Sequence, residues 1–178
     1  MNRTNILILA AFVCLVVGGI ACAQSSKDDI NIHKTCSHCG MDRGVFDFSR
    51  MLIEYEDGTQ AGVCSLHCAA IDLANNIDKT PKSIKVGEFG GKQLIDAQKA
   101  FWVVGGDKPG VMSKTGKWAF EKKEDAENFI KAHQGRLASF DGAMNTAYDD
   151  MAEDTKMIRE KRKMNRMKMA EEKPRDEH

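Results

Sequence analysis

Four cysteines in two short pairs constrain this chain more than any other feature. Cys36 and Cys39 form a C-x-x-C pair, and Cys64 and Cys68 form a C-x-x-x-C pair further along. Thiols spaced in this way are typical of a disulfide framework, a zinc site, a dithiol redox pair or a soft-metal site. The spacing favours a fold that gathers both pairs into one cluster, but the thiols alone do not choose among these chemistries.

The N-terminal segment is typical of a secretion signal and is not expected to belong to the fold. Residues 1–21 carry Arg3 near the start and an apolar run over residues 6–21. That run is shorter than the roughly 20 residues that a bilayer-spanning helix needs. We therefore expect an exported protein, and Cys14 would leave with the signal.

Two ways of processing this signal compete at Cys22. The run "GIAC" ending at Cys22 resembles a bacterial lipobox, whereas Ala21-Cys22-Ala23 matches a simple A-x-A cleavage site. We favour lipidation of Cys22, followed by a polar linker over residues 22–34. The protein would then be a lipoprotein anchored on the periplasmic side of a membrane.

Composition limits the class of protein. The chain has 178 residues, 42% of them hydrophobic, which is enough for one domain with a real core. The 26 basic and 26 acidic residues cancel, so nothing in the total charge indicates a nucleic-acid-binding face.

The pattern of elements predicts an α+β fold over residues 35–148. Two alternating runs flank Asp57-Gly58, a strong hairpin signal, and a helix with Ser65 as its N-cap follows. Further strands are predicted in "SIKVGEF", "QLIDAQKAFWVVGG", "GKWAFEK" and "RLASF", with a helix closed by Gly135 before the last one. The element order therefore predicts two small ββαβ units in tandem.

The tail over residues 149–178 differs from the rest. Residues 156–168 hold seven basic residues and one acidic residue, and Met157, Met164 and Met167 would share one face of a helix. The simpler interpretation is a charged, partly helical segment that keeps the protein soluble and does not dock tightly. The alternative is a methionine-bearing arm that offers thioether ligands or binds a partner.

The predicted elements place the thiols where they can meet. Cys36 and Cys39 lie on a tight turn, Cys64 ends a hairpin strand, and Cys68 lies in the first turn of a helix. A closed four-thiolate site suits zinc, and soft sulfur also suits Cu(I). A hairpin after the C-x-x-C pair argues against a thioredoxin-like redox site. We expect three nearby histidines, His33, His38 and His67, to be surface residues.

Four segments, in the same order, resemble the NosL-type family of nitrous-oxide reductase accessory lipoproteins. They are "CSHCGM", "VCSLHCAAID", "QLIDAQKAFWVVGG" and the stretch from "PGVMSKTGKWAF" to "GRLASF". The resemblance covers roughly residues 33–143. It implies two ββαβ units and a lipid-anchored, periplasm-facing Cu(I) chaperone that serves nitrous-oxide reductase and its ABC-type maturation complex.

The resemblance also implies a ligand set. The soft ligands carried over by position are Cys36, Cys39 and Met41 in the first motif and Met112 in the second half. Ser113 stands where the family usually has glycine, which bears on the geometry of the loop around Met112. We assign Cys39, Met41 and Met112 to copper transfer and keep the other cysteines as co-ligands or a structural set.

The complete set of cysteines leaves a second interpretation open. Cys36, Cys39, Cys64 and Cys68 would also suit a closed structural zinc site, so the alternative is a zinc-binding adaptor in the same compartment. On either interpretation the protein is not an enzyme. The copper chaperone is the function that the sequence favours.

Overall fold

The fold confirms the predicted α+β class. The computed structural model describes residues 28–171, so the predicted signal over residues 1–21 and the lipidation site Cys22 lie outside the described residues. Four helices and seven strands make up this part, in the following order: α1 Asp28–Ile32, β1 Met51–Tyr55, β2 Gln60–Val63, α2 Leu66–Asn75, β3 Pro81–Gly87, β4 Leu94–Asp96, β5 Phe101–Val104, β6 Lys117–Phe120, α3 Lys123–His133, β7 Arg136–Ala138 and α4 Phe140–Glu171.

The two predicted ββαβ units are both present. In the first unit the antiparallel sheet has the order β2-β1-β3-β4, and in the second it has the order β6-β5-β7. The two-strand–helix–strand order is thus the same in both units, with β4 added at the edge of the first sheet. The segment "QLIDAQKAFWVVGG" is not one strand: a turn after Asp96 divides it between the two sheets.

The first hairpin forms as its turn residues predict. Gly58 has a φ of 82°, which glycine adopts at little cost, and its amide donates to the Tyr55 carbonyl at 3.0 Å. The Thr59 amide donates to Asp57 Oδ1 at 2.9 Å. Met51, Ile53 and Tyr55 alternate along β1 and are all buried, so one face of this sheet lines the core.

Strand β5 separates two hydrophobic clusters. Trp102 and Val104 face the larger cluster, which extends from the first unit to the start of α4, whereas Val103 faces a smaller aromatic cluster beneath α3. Burial on both faces explains why "FWVV" is a continuous apolar run instead of an alternating one.

The domain begins earlier in the chain than residue 35. Residues 28–32, predicted as linker, form the short helix α1, and Asp29 is buried. Asp29 Oδ2 accepts from Arg43 Nη2 at 2.7 Å, and Asp29 Oδ1 accepts from Arg50 Nη2 at 2.9 Å. Both arginines are fully buried, so this carboxylate is the counter-ion that ties the first residues to the domain.

The C-terminal segment is also part of the packed structure. Helix α4 begins at Phe140 and runs without a break across the predicted boundary at residue 149. It packs against α2 and β5, and Asp154 within it is only 1% exposed. The expectation that the tail does not dock is therefore wrong: it packs tightly as far as Asp154, and Arg162 makes one more hydrogen bond to the domain. Within residues 28–171, none of the helices has the length and apolar character to span a membrane.

Candidate metal centre

Cys36 and Cys39 lie in a tight turn over residues 35–42, here called the knuckle. The Cys36 amide donates to the Met41 carbonyl at 2.8 Å, and the Gly40 amide donates to the Cys36 carbonyl at 2.9 Å. Gly40 has a φ of 75°, a left-handed conformation that favours glycine. A bridge between Thr35 and Asp42 closes the base of the knuckle.

Gly62 lets the knuckle lie against strand β2. The Ser37 amide donates to the Gly62 carbonyl at 3.0 Å. A Cβ atom at Gly62 would lie 2.4 Å from the Cβ atom of His33, closer than real Cβ atoms approach. The absence of a side chain at this position therefore sets how closely the segment before the knuckle approaches the sheet.

The second pair lies where β2 turns into α2. Cys64 directly follows β2, and Cys68 lies in the first turn of α2. Ser65 is the N-cap residue, as predicted, although its hydroxyl makes no capping hydrogen bond. The partial positive charge of a helix N-terminus favours thiolate over thiol at this position, but burial and the neighbouring thiols oppose that effect.

The four sulfurs converge. The Sγ atoms of Cys36, Cys39, Cys64 and Cys68 all lie within 4.8 Å of one another, and all four are free cysteines. Cys39 Sγ lies 3.4 Å from Cys64 Sγ, which lies 3.7 Å from Cys68 Sγ. Zinc–sulfur bonds of about 2.3 Å in a tetrahedron place the sulfurs about 3.8 Å apart. The cluster thus has the size that suits one thiolate-bound metal ion.

The four sulfurs differ in exposure. Cys64 and Cys68 are 0% exposed and Cys36 is 3% exposed, whereas Cys39 is only partly buried. Any group that enters or leaves the cluster therefore meets Cys39 first.

The thiols also differ in acidity because they hydrogen-bond to one another. The hydrogen bond with Cys39 contributes most to lowering the pKa of Cys36, and those with Cys64 and Cys68 add to it. The same interactions with Cys36 and Cys39, together with burial, raise the pKa of Cys64 and Cys68. The protons of the buried helical pair are thus the harder ones to remove from the metal-free cluster. A metal ion that binds all four must displace those protons.

The two methionines predicted as ligands lie beside the same core. Met41 and Met112 are both partly buried and pack against the cluster that contains Cys36, Cys64 and Cys68. Met112 has a φ of 60°, an uncommon backbone conformation for a residue with a side chain. The structure brings the four cysteines together as predicted, and a ligand role for the methionines stays a prediction.

Ser113, which the resemblance places at a glycine position of the family, is a buried hydrogen-bond partner. Its hydroxyl accepts from Lys117 Nζ at 3.0 Å, and the same ammonium donates to Asp150 Oδ2 of α4 at 2.8 Å. Lys117 is only 4% exposed in its side chain. The loop after Met112 is therefore tied to α4 through Lys117.

Sequence reasoning missed how α4 contacts the metal-binding elements. His67, expected at the surface, is 2% exposed, and its Nδ1 lies 3.5 Å from Asp154 Oδ2. Burial lowers the pKa of His67, and the charge of Asp154 opposes that shift. The apolar spacing in the sequence does not reveal this contact, because it joins two polar residues far apart in the chain.

A second contact joins α4 to the knuckle itself. Arg162 Nη2 donates to the Cys39 carbonyl at 2.9 Å. His38, which lies at the surface as expected, has its Nε2 2.7 Å from Asp72 Oδ1 of α2. The knuckle is thus held by α2 on one side and α4 on the other.

The comparisons with known proteins agree with this geometry. A family model described as NosL matches residues 27–148. A solved structure described as the copper chaperone NosL from Shewanella denitrificans is similar, with 25% sequence identity and a TM-score of 0.50. The similarity covers 60% of this chain and 87% of that one. No curated protein matches the chain.

The fold and the converging thiols define the class: a small α+β protein of two ββαβ units with a candidate thiolate metal site. The family match extends over more than half of the chain and includes both cysteine pairs. The chain belongs to the NosL family.

Proposed function

We propose that this protein is an exported, lipid-anchored Cu(I) chaperone and not an enzyme. One observation carries the proposal: a compact cluster of four sulfurs has three buried members and one partly exposed member, Cys39. The solved relative from Shewanella denitrificans, itself described as a copper chaperone, supports copper as the metal.

Transfer of copper requires a ligand that can be exchanged. Thiolates and thioethers are the soft donors that Cu(I) prefers. An acceptor thiolate can displace Cys39 while the buried sulfurs still hold the ion, so copper need not be released into solution. Met41 and Met112, both beside the same core, would supply uncharged thioether ligands of lower strength. A mixed sulfur site of this kind keeps the affinity in an exchangeable range.

The recipient in this proposal is nitrous-oxide reductase, reached through its ABC-type maturation complex. This part rests on the family resemblance. The proposed location, the periplasmic side of a membrane, rests on the signal-like residues 1–21 and the lipobox-like run at Cys22. No nucleic acid is involved.

A structural zinc site is the second candidate function. The sulfur spacings of 3.4 and 3.7 Å are close to the edge of a zinc–thiolate tetrahedron, about 3.8 Å. On this alternative the four cysteines stabilise the fold, and the protein acts as an adaptor.

Metal analysis of the reduced protein separates the two candidates. The chaperone binds Cu(I) and releases it to a chromogenic chelator. The adaptor retains one zinc ion that resists chelation, and its unfolding free energy falls sharply once the zinc is removed.

Substitutions then test which sulfurs hold copper. Cys39→Ser should weaken Cu(I) binding at least tenfold, equivalent to about 1.4 kcal/mol. Met112→Leu should weaken it less, and Met144→Leu is the matched control because Met144 is a buried core methionine on α4. Normal binding by Met112→Leu, with loss of binding in Cys64→Ser or Cys68→Ser, would favour the four-cysteine site over the mixed one.

A further inference from the structure

The far end of α4 forms an exposed arm, here called the distal arm, over residues 159–171. Every residue in it is exposed. Met164, Met167 and Met169 are 56%, 54% and 71% exposed, an unusual amount of exposed thioether surface. Such flexible, polarisable side chains are common on surfaces that bind other proteins.

The distal arm leaves the domain at the metal centre. The last hydrogen bond from α4 to the rest of the domain, within the described residues, runs from Arg162 to the Cys39 carbonyl. Nine further residues (171 − 162) continue as helix to Glu171. At 1.5 Å per residue this is about 14 Å of helix beyond the knuckle. A molecule bound to the arm near Arg162 would therefore lie close to Cys39, the partly exposed thiol of the cluster.

The distal arm is also strongly basic in a chain whose net charge is zero. It has six cationic residues and two acidic ones, Glu160 and Glu171, a net charge of +4 (6 − 2). The cations are Arg159, Lys161, Arg162, Lys163, Arg166 and Lys168. Within residues 28–171, none of them forms an ion pair with a carboxylate.

We infer that the distal arm is a docking surface for an acidic protein segment, which places a metal acceptor beside Cys39. This inference deepens the proposed function, on which it rests. Complementary charge accelerates encounter and fixes orientation, and the methionines add adaptable apolar contact.

The distribution of the methionines favours a protein over a membrane surface. A helix that lies in a bilayer interface needs one continuous apolar face. Met164 and Met167 share a side of the helix, but Met169, two residues beyond Met167, does not face that side. Basic residues separate them, so the distal arm has no apolar stripe to insert.

The first test is binding to a defined acidic probe. The probe is a fluorescent peptide with a C-x-x-C pair flanked by glutamates, and the control peptide has glutamines instead. Fluorescence anisotropy with the metal-free, reduced protein should show at least tenfold tighter binding of the glutamate peptide. That preference should fall as salt is added.

Charge-neutralising variants locate the binding surface. Replacing three arm residues by Lys163→Gln, Arg166→Gln and Lys168→Gln should remove the preference for the glutamate peptide. The matched control makes the same charge change elsewhere, with Lys99→Gln, Lys122→Gln and Lys123→Gln, all exposed outside the distal arm. It should retain at least half of the affinity.

Copper transfer from the loaded protein supplies the second readout. Transfer to the glutamate peptide should be at least tenfold faster than to the glutamine peptide, and only the arm variant should lose the difference.

Equal binding of the two peptides, or equal loss of binding in both triple variants, would overturn the docking surface. Arm-dependent binding to phosphatidylglycerol vesicles with no preference between peptides would overturn it in favour of a membrane surface. Arm-dependent peptide binding by a protein that binds no Cu(I) would refute the chaperone and retain the docking surface.

Discussion

The two ββαβ units share one strand order but fill their cores with different chemistry. The first unit holds the four cysteines, three of them buried, and a buried ionic group of Asp29, Arg43 and Arg50. The second unit buries aromatic rings: Phe129 lies 5.3 Å from Phe120, measured between ring centroids, and 4.9 Å from Phe89, which follows β3 of the first unit and packs against this cluster. Its segment of the chain, residues 101–138, has no cysteine.

This difference shows how one topology can serve two purposes. Aromatic packing stabilises the second unit without help from a ligand. Thiols and charged groups occupy core positions in the first unit. Its stability therefore depends on hydrogen bonds, on ion pairs and, when a metal ion is bound, on that ion. Substitutions in each unit should therefore have separable effects on stability and on metal binding.

The largest effect is expected from Asp29→Ala in the first unit. It leaves the fully buried Arg43 and Arg50 without their shared carboxylate. Removing one partner of a buried ion pair typically costs about 3–5 kcal/mol, to be measured by urea denaturation. Asp28→Ala, at the exposed neighbouring position, is the control and should change stability by less than about 0.5 kcal/mol.

The same carboxylate predicts a pH dependence. Burial raises the pKa of Asp29, but hydrogen bonds and charge from Arg50 and Arg43 outweigh it, so the pKa is lowered. A lowered pKa contributes stability above the unfolded value, near 3.9, that is lost as the pH falls through the folded value. The stability difference between wild type and Asp29→Ala should therefore shrink in acid. A difference that stays constant down to pH 2 would contradict this assignment.

Phe129→Ala tests the second unit. Phe129 contacts four aromatic residues, Phe89, Phe120, Trp118 and His133, and is 7% exposed. Its loss should cost about 3 kcal/mol, at the lower end of measured Phe→Ala values, because α3 can partly close the cavity. Metal affinity, measured by chelator competition, should stay within about twofold. A parallel loss of affinity would show that the units are not separable.

A pair of truncations separates the packed part of α4 from the distal arm. A stop after Tyr148 removes Asp150, the partner of buried Lys117, and the buried Asp154. We expect a loss of about 2–3 kcal/mol, since Lys117 loses its counter-charge and the helix that covers it. A stop after Arg162 keeps these contacts and should cost less than about 0.5 kcal/mol in thermal or urea unfolding. Equal stability of both truncated proteins would mean that α4 adds nothing to the fold.

The smallest effect is expected from Ser113→Ala. It removes one of the hydrogen-bond partners of Lys117 and leaves Asp150 and the Thr115 carbonyl in place. Losing one buried hydrogen bond of this kind costs about 1 kcal/mol. Urea denaturation of this variant against the wild-type protein measures it.

Local signals in the sequence were sufficient for much of this architecture. Asp57-Gly58 predicted the first hairpin and Ser65 the start of α2, because turn and cap chemistry depend on adjacent residues. Gly135, with a φ of 99°, lies just beyond the end of α3 as predicted. The cysteine spacing predicted that four sulfurs meet, since a knuckle and a hairpin end leave few other arrangements.

The features that sequence reasoning missed all depend on distant partners. In the sequence Asp29 resembles a linker residue, but in the structure it forms ion pairs with Arg43 and Arg50. In the sequence His67 resembles an exposed helical residue, but in the structure α4 covers it and brings Asp154 close to its ring. Polar residues that are buried because they pair with one another do not add to the periodic pattern of apolar residues. An interpretation based on that pattern therefore assigns them to the surface.

The position of the cysteines in the chain has a consequence for the order of assembly. Every sulfur of the cluster lies between Cys36 and Cys68, whereas the tie between Arg162 and Cys39 spans 123 residues. Contacts between distant residues need the whole chain, and in general they form late. A chain emerging N-terminus first therefore presents a complete set of thiols well before its last helix exists. The cluster is then open to a metal ion or to an oxidant while the chain is being made, and α4 packs against it only at the end.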